Sequence, residues 1–335
     1  MSKQNDATFE QKETRTRRHL LQKTALAVAA GAFVARKASA QGSAPAKETS
    51  WQLFFPAGFR NERIHTSGAE INAVIGGSGP PVLMFHGAPQ SLITWRLIAP
   101  DLAKEFTLVM CDLRGYGDSS KPADKPDHSS QSKRPMALDG VEVMEHLGYR
   151  QFSMVGHDRG GRVGRRMALD HPDRVQKLAV MDIVPAHYLY SHVTIDFVQA
   201  YFHWFNYLRP APGPEDELIA QNKAQAARAT TDAQREYNRA NLLPGTMHAM
   251  CEDYRASASI DLKIDAADIK AGKKIQCPLL VLWAATGAMG KLYDVLGIWK
   301  DEGVKVTGKG LPGNHSLQES APKETLAELQ TFLRT

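Results

Sequence analysis

The chain has 335 residues, 43% of them hydrophobic and 23% charged, proportions that exclude wholesale disorder and a polytopic membrane protein. Its net charge of +5 is carried entirely by residues 1–40, which hold eight Lys/Arg and three acids. The remainder has 33 residues of each sign, so no basic surface is left to bind a nucleic-acid backbone.

Within this leader, Arg17-Arg18 stand just ahead of an apolar stretch at residues 25–35, which Ala38-Ser39-Ala40 closes. The layout predicts a secretory signal handled by the twin-arginine export machinery, cleaved near Ala40, with the mature chain in the periplasm. Eleven apolar residues fall short of the ~20 that cross a bilayer, which argues against an anchor. The three cysteines, Cys111, Cys251 and Cys277, show no CxxC or Cys/His ligand spacing. They read as buried thiols, and neither a metal nor another cofactor is expected.

In chain order, residues 71–75, 82–85, 107–111, 152–155, 178–181, 279–283 and 304–306 read as short strands, several of them apolar on consecutive residues. Continuous apolar strands separated by helical stretches predict a mainly parallel, doubly wound α/β sheet covered on both faces. The rhythm breaks between about Ala186 and Tyr254, where aromatic, Pro-rich and then polar helical stretches carry no strand signal. We therefore expect a core at 41–185 and 256–335, interrupted by a helical cap at 186–255.

The strand at 152–155 runs into Gly156-His157-Asp158-Arg159-Gly160-Gly161 and then a helical segment. Strand, Gly-x-nucleophile-x-Gly turn and helix form the nucleophile elbow of the α/β-hydrolase fold, and here the elbow residue is Asp158. A carboxylate at this position attacks an sp³ carbon and forms an alkyl-enzyme ester, which makes serine-type esterase chemistry a poor fit. His86-Gly87-Ala88-Pro89 follows the strand at 82–85, so the backbone N–H groups of Ala88 and Arg159 are the expected oxyanion donors. Asp182, after the next strand, and His315, in the loop ahead of the C-terminal helix, would complete an Asp-His-Asp triad. Arg159 and Arg162, three apart at a helix start, share a face beside Asp158 and suit a substrate carboxylate. Arg165 and Arg166 are expected to be solvated.

The elbow from Gly156 to Arg162 resembles the signature of the fluoroacetate (haloacetate) dehalogenases, as do the Asp158-to-Asp182 spacing, His203-Trp204 and the segment Met250-Cys251-Glu252-Asp253-Tyr254-Arg255. The resemblance runs from about Trp51 to the C-terminus. It implies that Arg159 and Arg162 hold the carboxylate of a halogenated acid, that His203, Trp204 and Tyr254 donate to the departing halide, and that the chain is a homodimer. Ala88 stands where such enzymes often carry Phe, which predicts a roomier pocket. The expected reaction converts haloacetate or another short 2-haloacid to the 2-hydroxy acid without a cofactor. Two alternatives remain. An epoxide hydrolase would share the triad and need Tyr254 with Tyr201, Tyr207 or Tyr190. A non-catalytic binding protein of the same fold would not need all three triad residues.

Overall fold

The computed structural model describes residues 51–335; the export signal expected at 1–40 lies outside the described residues. Eight strands form one sheet: β1 (Arg60–His65), β2 (Glu70–Gly76), β3 (Pro81–Phe85), β4 (Thr107–Cys111), β5 (Phe152–His157), β6 (Val175–Met181), β7 (Leu279–Ala284) and β8 (Val306–Leu311). Their order is β1-β2-β4-β3-β5-β6-β7-β8, with β2 antiparallel to both its neighbours and every other pairing parallel.

The flanking helices are α1 (Ala99–Leu102), α2 (Lys133–His146) and α3 (Arg159–Asp170). Between β6 and β7 run α4 (Ala186–Ser191), α5 (Ile195–Ala200), α6 (Phe202–Asn206), α7 (Gly213–Ala226), α8 (Asp232–Asn241), α9 (Thr246–Ser257) and α10 (Ile260–Lys270). The chain then adds α11 (Ala288–Leu292), α12 (Val295–Glu302), α13 (Leu317–Ser320) and α14 (Pro322–Arg334). Among the described residues no strand interrupts the run from Met181 to Leu279, so the helical cap is inserted between two strands of a single sheet.

The central strands are apolar on consecutive residues because both of their faces are covered. Leu83, Phe85, Val109, Met154 and Val180 pack with Met136 and Val141 of α2 and Val163 and Met167 of α3. The alternate residues Val82, Met84, Leu108, Met110 and Val155 pack with Leu102 of α1 and Leu329 and Leu333 of α14.

The edges depart from the sequence expectation. β1 gave no strand signal, because Ile64 is its only buried residue and the rest is the polar run Arg-Asn-Glu-Arg plus His65. It is held as a hairpin to the buried β2 instead. β8 begins where the expected strand at 304–306 ends, since its glycines disguise it. A Cβ on Gly308 would sit 2.6 Å from the Val281 carbonyl oxygen, so glycine is what lets this strand lie against β7.

Arg165 and Arg166 are not solvated as expected; they are 6% and 3% exposed. α10 carries Asp261, Asp265 and Asp268 on one stripe, and two of these acids reach α3. Arg165 binds Asp265 at 2.7 Å and Glu302 at 2.7 Å, and Arg166 binds Asp268 at 2.5 Å and Asp170 at 2.9 Å. Partners a hundred residues away cannot be read from local sequence. The thiols of Cys111, Cys251 and Cys277 are all free, the first two buried.

Candidate active site

Asp158 occupies the turn between β5 and α3 with φ +46° and ψ −112°, a backbone conformation that costs about 1–3 kcal/mol and persists only where its surroundings enforce it. Here they do. The Asp158 N–H donates to Met181 O at 3.2 Å and the Gly160 N–H to His86 O at 2.9 Å, tying both sides of the turn to the sheet. A Cβ on Gly160 would lie 2.3 Å from Phe85 O, and one on Gly87 would lie 2.5 Å from the Asp158 Cβ, so no larger residue fits either position.

One carboxylate oxygen of Asp158, Oδ1, accepts the Ala88 N–H at 3.0 Å. The other, Oδ2, lies 3.7 Å from His315 Nε2. His315 Nδ1 faces Asp182 Oδ2 at 2.6 Å, and Asp182 Oδ1 accepts the Ala284 N–H at 2.8 Å. A carboxylate on Nδ1 fixes the imidazole with its Nε2 toward Asp158. Arg159 opens α3, where its N–H has no intrahelical acceptor. The Ala88 N–H and His315 thus meet the Asp158 carboxylate directly, and Asp182 stands behind His315.

Burial works against charge on Asp158, but His315 and Arg159 outweigh it and hold the carboxyl well below its usual range. Burial also opposes charge on His315, and there Asp158 and Asp182 prevail and raise it well above an ordinary imidazole. The resting pair is therefore carboxylate and imidazolium.

Sequence reading missed His157. Its Nε2 donates to the His315 carbonyl oxygen at 2.8 Å and its Nδ1 accepts from Gln318 Nε2 at 3.3 Å, a single consistent tautomer that anchors the His315 loop. Burial drives its pKa down to about 4, so it stays neutral. Its position next to the elbow residue was the available signal.

A cavity of about 350 Å³ opens above Asp158. Ala88, Pro89, Asp158 and His315 form its core wall; Tyr201, His203, Trp204, Tyr207 and Tyr254 line it from the helices above, together with one face of α7. The structure thus brings His203, Trp204 and Tyr254 to the same space as Asp158. Tyr201 and Tyr207 are there too, while Tyr190 is set back, its buried hydroxyl unpartnered and its ring 5.5 Å from that of Trp204.

The two arginines are not an open fork. Arg159 is fully buried and spends Nε and Nη2 on Asp253, at 2.8 and 2.5 Å, and Nη2 also reaches Ser257 Oγ at 2.5 Å. Asp253 is shared with Lys133 and with the Tyr116 hydroxyl, which donates at 2.7 Å. Arg162 differs: Nη1 donates to Val184 O at 2.8 Å, and it has no carboxylate partner among the described residues. Burial, reinforced by the charge of Arg159, lowers its pKa to about 10. Both guanidiniums stack on rings that line the cavity without lining it themselves. Arg162 lies 4.8 Å from the Trp204 ring centre and Arg159 4.2 Å from that of Tyr254. Each keeps one buried N–H with no partner, Nη1 of Arg159 and Nε of Arg162.

One group of described residues has the proximity to hold a cation: Asp124, His248 and Glu252, with ligand atoms within 4.8 Å of one another. It lies outside the cavity, and ion pairing accounts for it. His248 bridges Asp124 at 3.0 Å and Glu215 at 3.2 Å, while Arg255 reaches Glu215 and Glu252 at 2.8 and 2.9 Å.

Comparison with known proteins agrees with this architecture. A family model described as alpha/beta hydrolase fold matches residues 80–312. A fluoroacetate dehalogenase from Burkholderia sp is 40% identical over 288 residues, 82% of this chain and 94% of the relative. A soluble epoxide hydrolase from Corynebacterium sp. (strain C12) is 31% identical over 277 residues, 77% of this chain and 91% of the relative. Among solved structures, the alpha/beta hydrolase ALR0039 from Nostoc sp PCC 7120 superposes with a TM-score of 0.79 at 46% identity, covering 82% of this chain and 98% of its own. With its sheet order, its strained elbow and these relatives in agreement, the chain belongs to the α/β-hydrolase fold family.

Proposed function

We propose that this hydrolase is a dehalogenase of short 2-haloacids, haloacetate among them, acting through an ester on Asp158. The observation that carries the reading is a carboxylate on the elbow, with one oxygen bound to the Ala88 N–H and the other facing His315. Arg162 adds a selectivity argument. A buried guanidinium without a carboxylate partner favours an anion in the cavity beside it, since an unpaired buried charge is costly. Neither guanidinium lines the cavity, so their charge reaches such an anion from behind the Trp204 and Tyr254 rings.

In the first step an Asp158 oxygen displaces halide from C2 in line, so the carbon–halogen bond breaks as the ester bond forms. His203, Trp204 and Tyr254 supply N–H and O–H donors for the developing halide charge. Burial raises the Tyr254 phenol well above its ordinary value, which keeps it a donor. Esterification removes the negative charge of Asp158, one of the causes that hold the His315 proton. His315 can then release it, and Asp182 keeps Nε2 aimed at the ester. Neutral His315 takes a proton from water as the hydroxide adds to the ester carbonyl, whose oxyanion the Ala88 and Arg159 N–H groups meet. The bond from that carbonyl carbon to the substrate oxygen then breaks, the proton of the added hydroxyl passes to the departing oxygen, and Asp158 is left as a carboxylate. The products are the 2-hydroxy acid, halide and a proton.

Epoxide hydrolysis is the second reading, favoured by Tyr201 and Tyr207 sharing the cavity with Tyr254. Halide release from chloroacetate and fluoroacetate, measured beside diol formation from a small neutral epoxide, separates the two. Turnover of the haloacids supports the proposal, and turnover of the epoxide alone overturns it. As part of the same proposal, the chain is exported to the periplasm by its leader and works as a homodimer.

A further inference from the structure

α7 turns one stripe to the cavity: Leu218, Gln221, Asn222 and Gln225, spaced as a single helix face. Leu218 and Asn222 are buried and Gln221 and Gln225 exposed, and three of these four cavity-lining residues are amides. Packing explains Asn222, which is 5% exposed, donates to Leu218 O at 2.9 Å and accepts from Asn241 Nδ2 at 3.1 Å. Gln221 and Gln225 have no such packing role: both are exposed where the cavity opens to solvent, and neither side chain has a hydrogen-bond partner among the described residues.

Size points the same way. Haloacetate has five non-hydrogen atoms; at the ~30 Å³ that a water molecule takes in the liquid, such a molecule fills ~150 Å³. Part of the 350 Å³ cavity, which opens to solvent, would be left over. The core wall adds room, because Ala88 presents only a methyl group beside Asp158.

We infer that the site reaches beyond the short 2-haloacids of that reading and favours a longer 2-haloacid, whose C2 bears a chain of roughly four to six non-hydrogen atoms ending in an uncharged hydroxyl or amide, read by Gln221 and Gln225. An uncharged end follows from the chemistry of the stripe, which offers amide donors and acceptors and no charge. The inference rests on the dehalogenase reading above. The tail undergoes no bond change; the carbon–halogen bond still breaks at C2 and water still supplies the new hydroxyl.

The test measures halide release from chloroacetate, 2-chlorohexanoate and 2-chloro-6-hydroxyhexanoate. For the unmodified protein, kcat/KM on the hydroxylated chain should exceed that on each of the other two about tenfold, the worth of one or two net hydrogen bonds. In the double variant Gln221→Leu/Gln225→Leu the ratio between the hydroxylated and plain six-carbon acids should fall to near one. That ratio cancels any loss of folded protein. Turnover of chloroacetate with no gain from the hydroxylated chain overturns the inference, as does a ratio that survives the double substitution. Halide from none of the three overturns the dehalogenase reading itself.

Discussion

The core wall of the cavity carries Asp158, Ala88 and His315 on turns that directly follow sheet strands, whereas its upper wall presents His203, Trp204, Tyr254 and the α7 amides from helices inserted between β6 and β7. On the core side each position is over-determined: the elbow is tied to two neighbouring strands, and His157 anchors the loop of His315. On the upper side the rings hold one another. Trp204 and Tyr254 meet edge to face at 5.6 Å, Tyr207 and Tyr254 at 5.1 Å, and the guanidiniums of Arg159 and Arg162 stack against them. A rigid wall suits bond-making, and the exposed α7 amides are the part of the upper wall that can change at the least structural cost, since Trp204 and Tyr254 are buried. On this division, substitutions on the core wall should abolish chemistry, those of the halide donors His203, Trp204 and Tyr254 should slow halide departure, and those of the α7 amides should change selectivity.

The largest effect expected is from Asp158→Asn, which should lower halide release by at least about 10⁴-fold while leaving the fold intact, checked by steady-state assay and circular dichroism. His315→Gln should lower steady-state turnover about 10³-fold in a distinctive way: a burst of one halide per chain, with the ester retained on Asp158 and visible as added mass on the intact protein. Without a burst, His315 would not be the base of the second step.

The arginine pair sharpens the comparison further. Arg162→Met should raise KM for chloroacetate about 10- to 100-fold with a smaller change in kcat, because its charge is the one not matched by a carboxylate. Arg159→Met should instead lower unfolding free energy by about 3–5 kcal/mol, since it strips Asp253 of its main partner in a buried network. Chemical denaturation distinguishes the two; equal stability losses would contradict the division of labour between them.

The smallest effect is on pH dependence. Burial raises the Asp253 carboxyl, but Arg159 and Lys133 outweigh it and hold the pKa at about 2. Its folded value lies below its unfolded value, so its contribution to stability is present above about pH 4 and disappears as pH falls toward 2. Melting temperature should therefore drop over that interval, and the drop should be shallower in Arg159→Met.

Most of the core wall was legible in the sequence because its signals are local. Each functional turn follows an apolar run, and Gly156, Gly160 and Gly87 mark places where backbone and side chain come too close for a Cβ. Asp182 and His315 follow from the same strand order. What stayed hidden depends on long-range pairing. Arg165 and Arg166 looked exposed until α10 laid its acids against them, and Arg159 looked free until Asp253 occupied it. Charged β1 and glycine-bearing β8 carry no apolar periodicity, so only their neighbours reveal them.

Turnover in heavy-oxygen water tests the ester on Asp158 most directly. After many cycles, mass spectrometry of the peptide containing Asp158 should show heavy oxygen in that carboxylate, because each hydrolysis leaves a solvent oxygen there. Product carrying the solvent oxygen while Asp158 remains unlabelled would mean that water attacks the substrate itself, and would contradict the account.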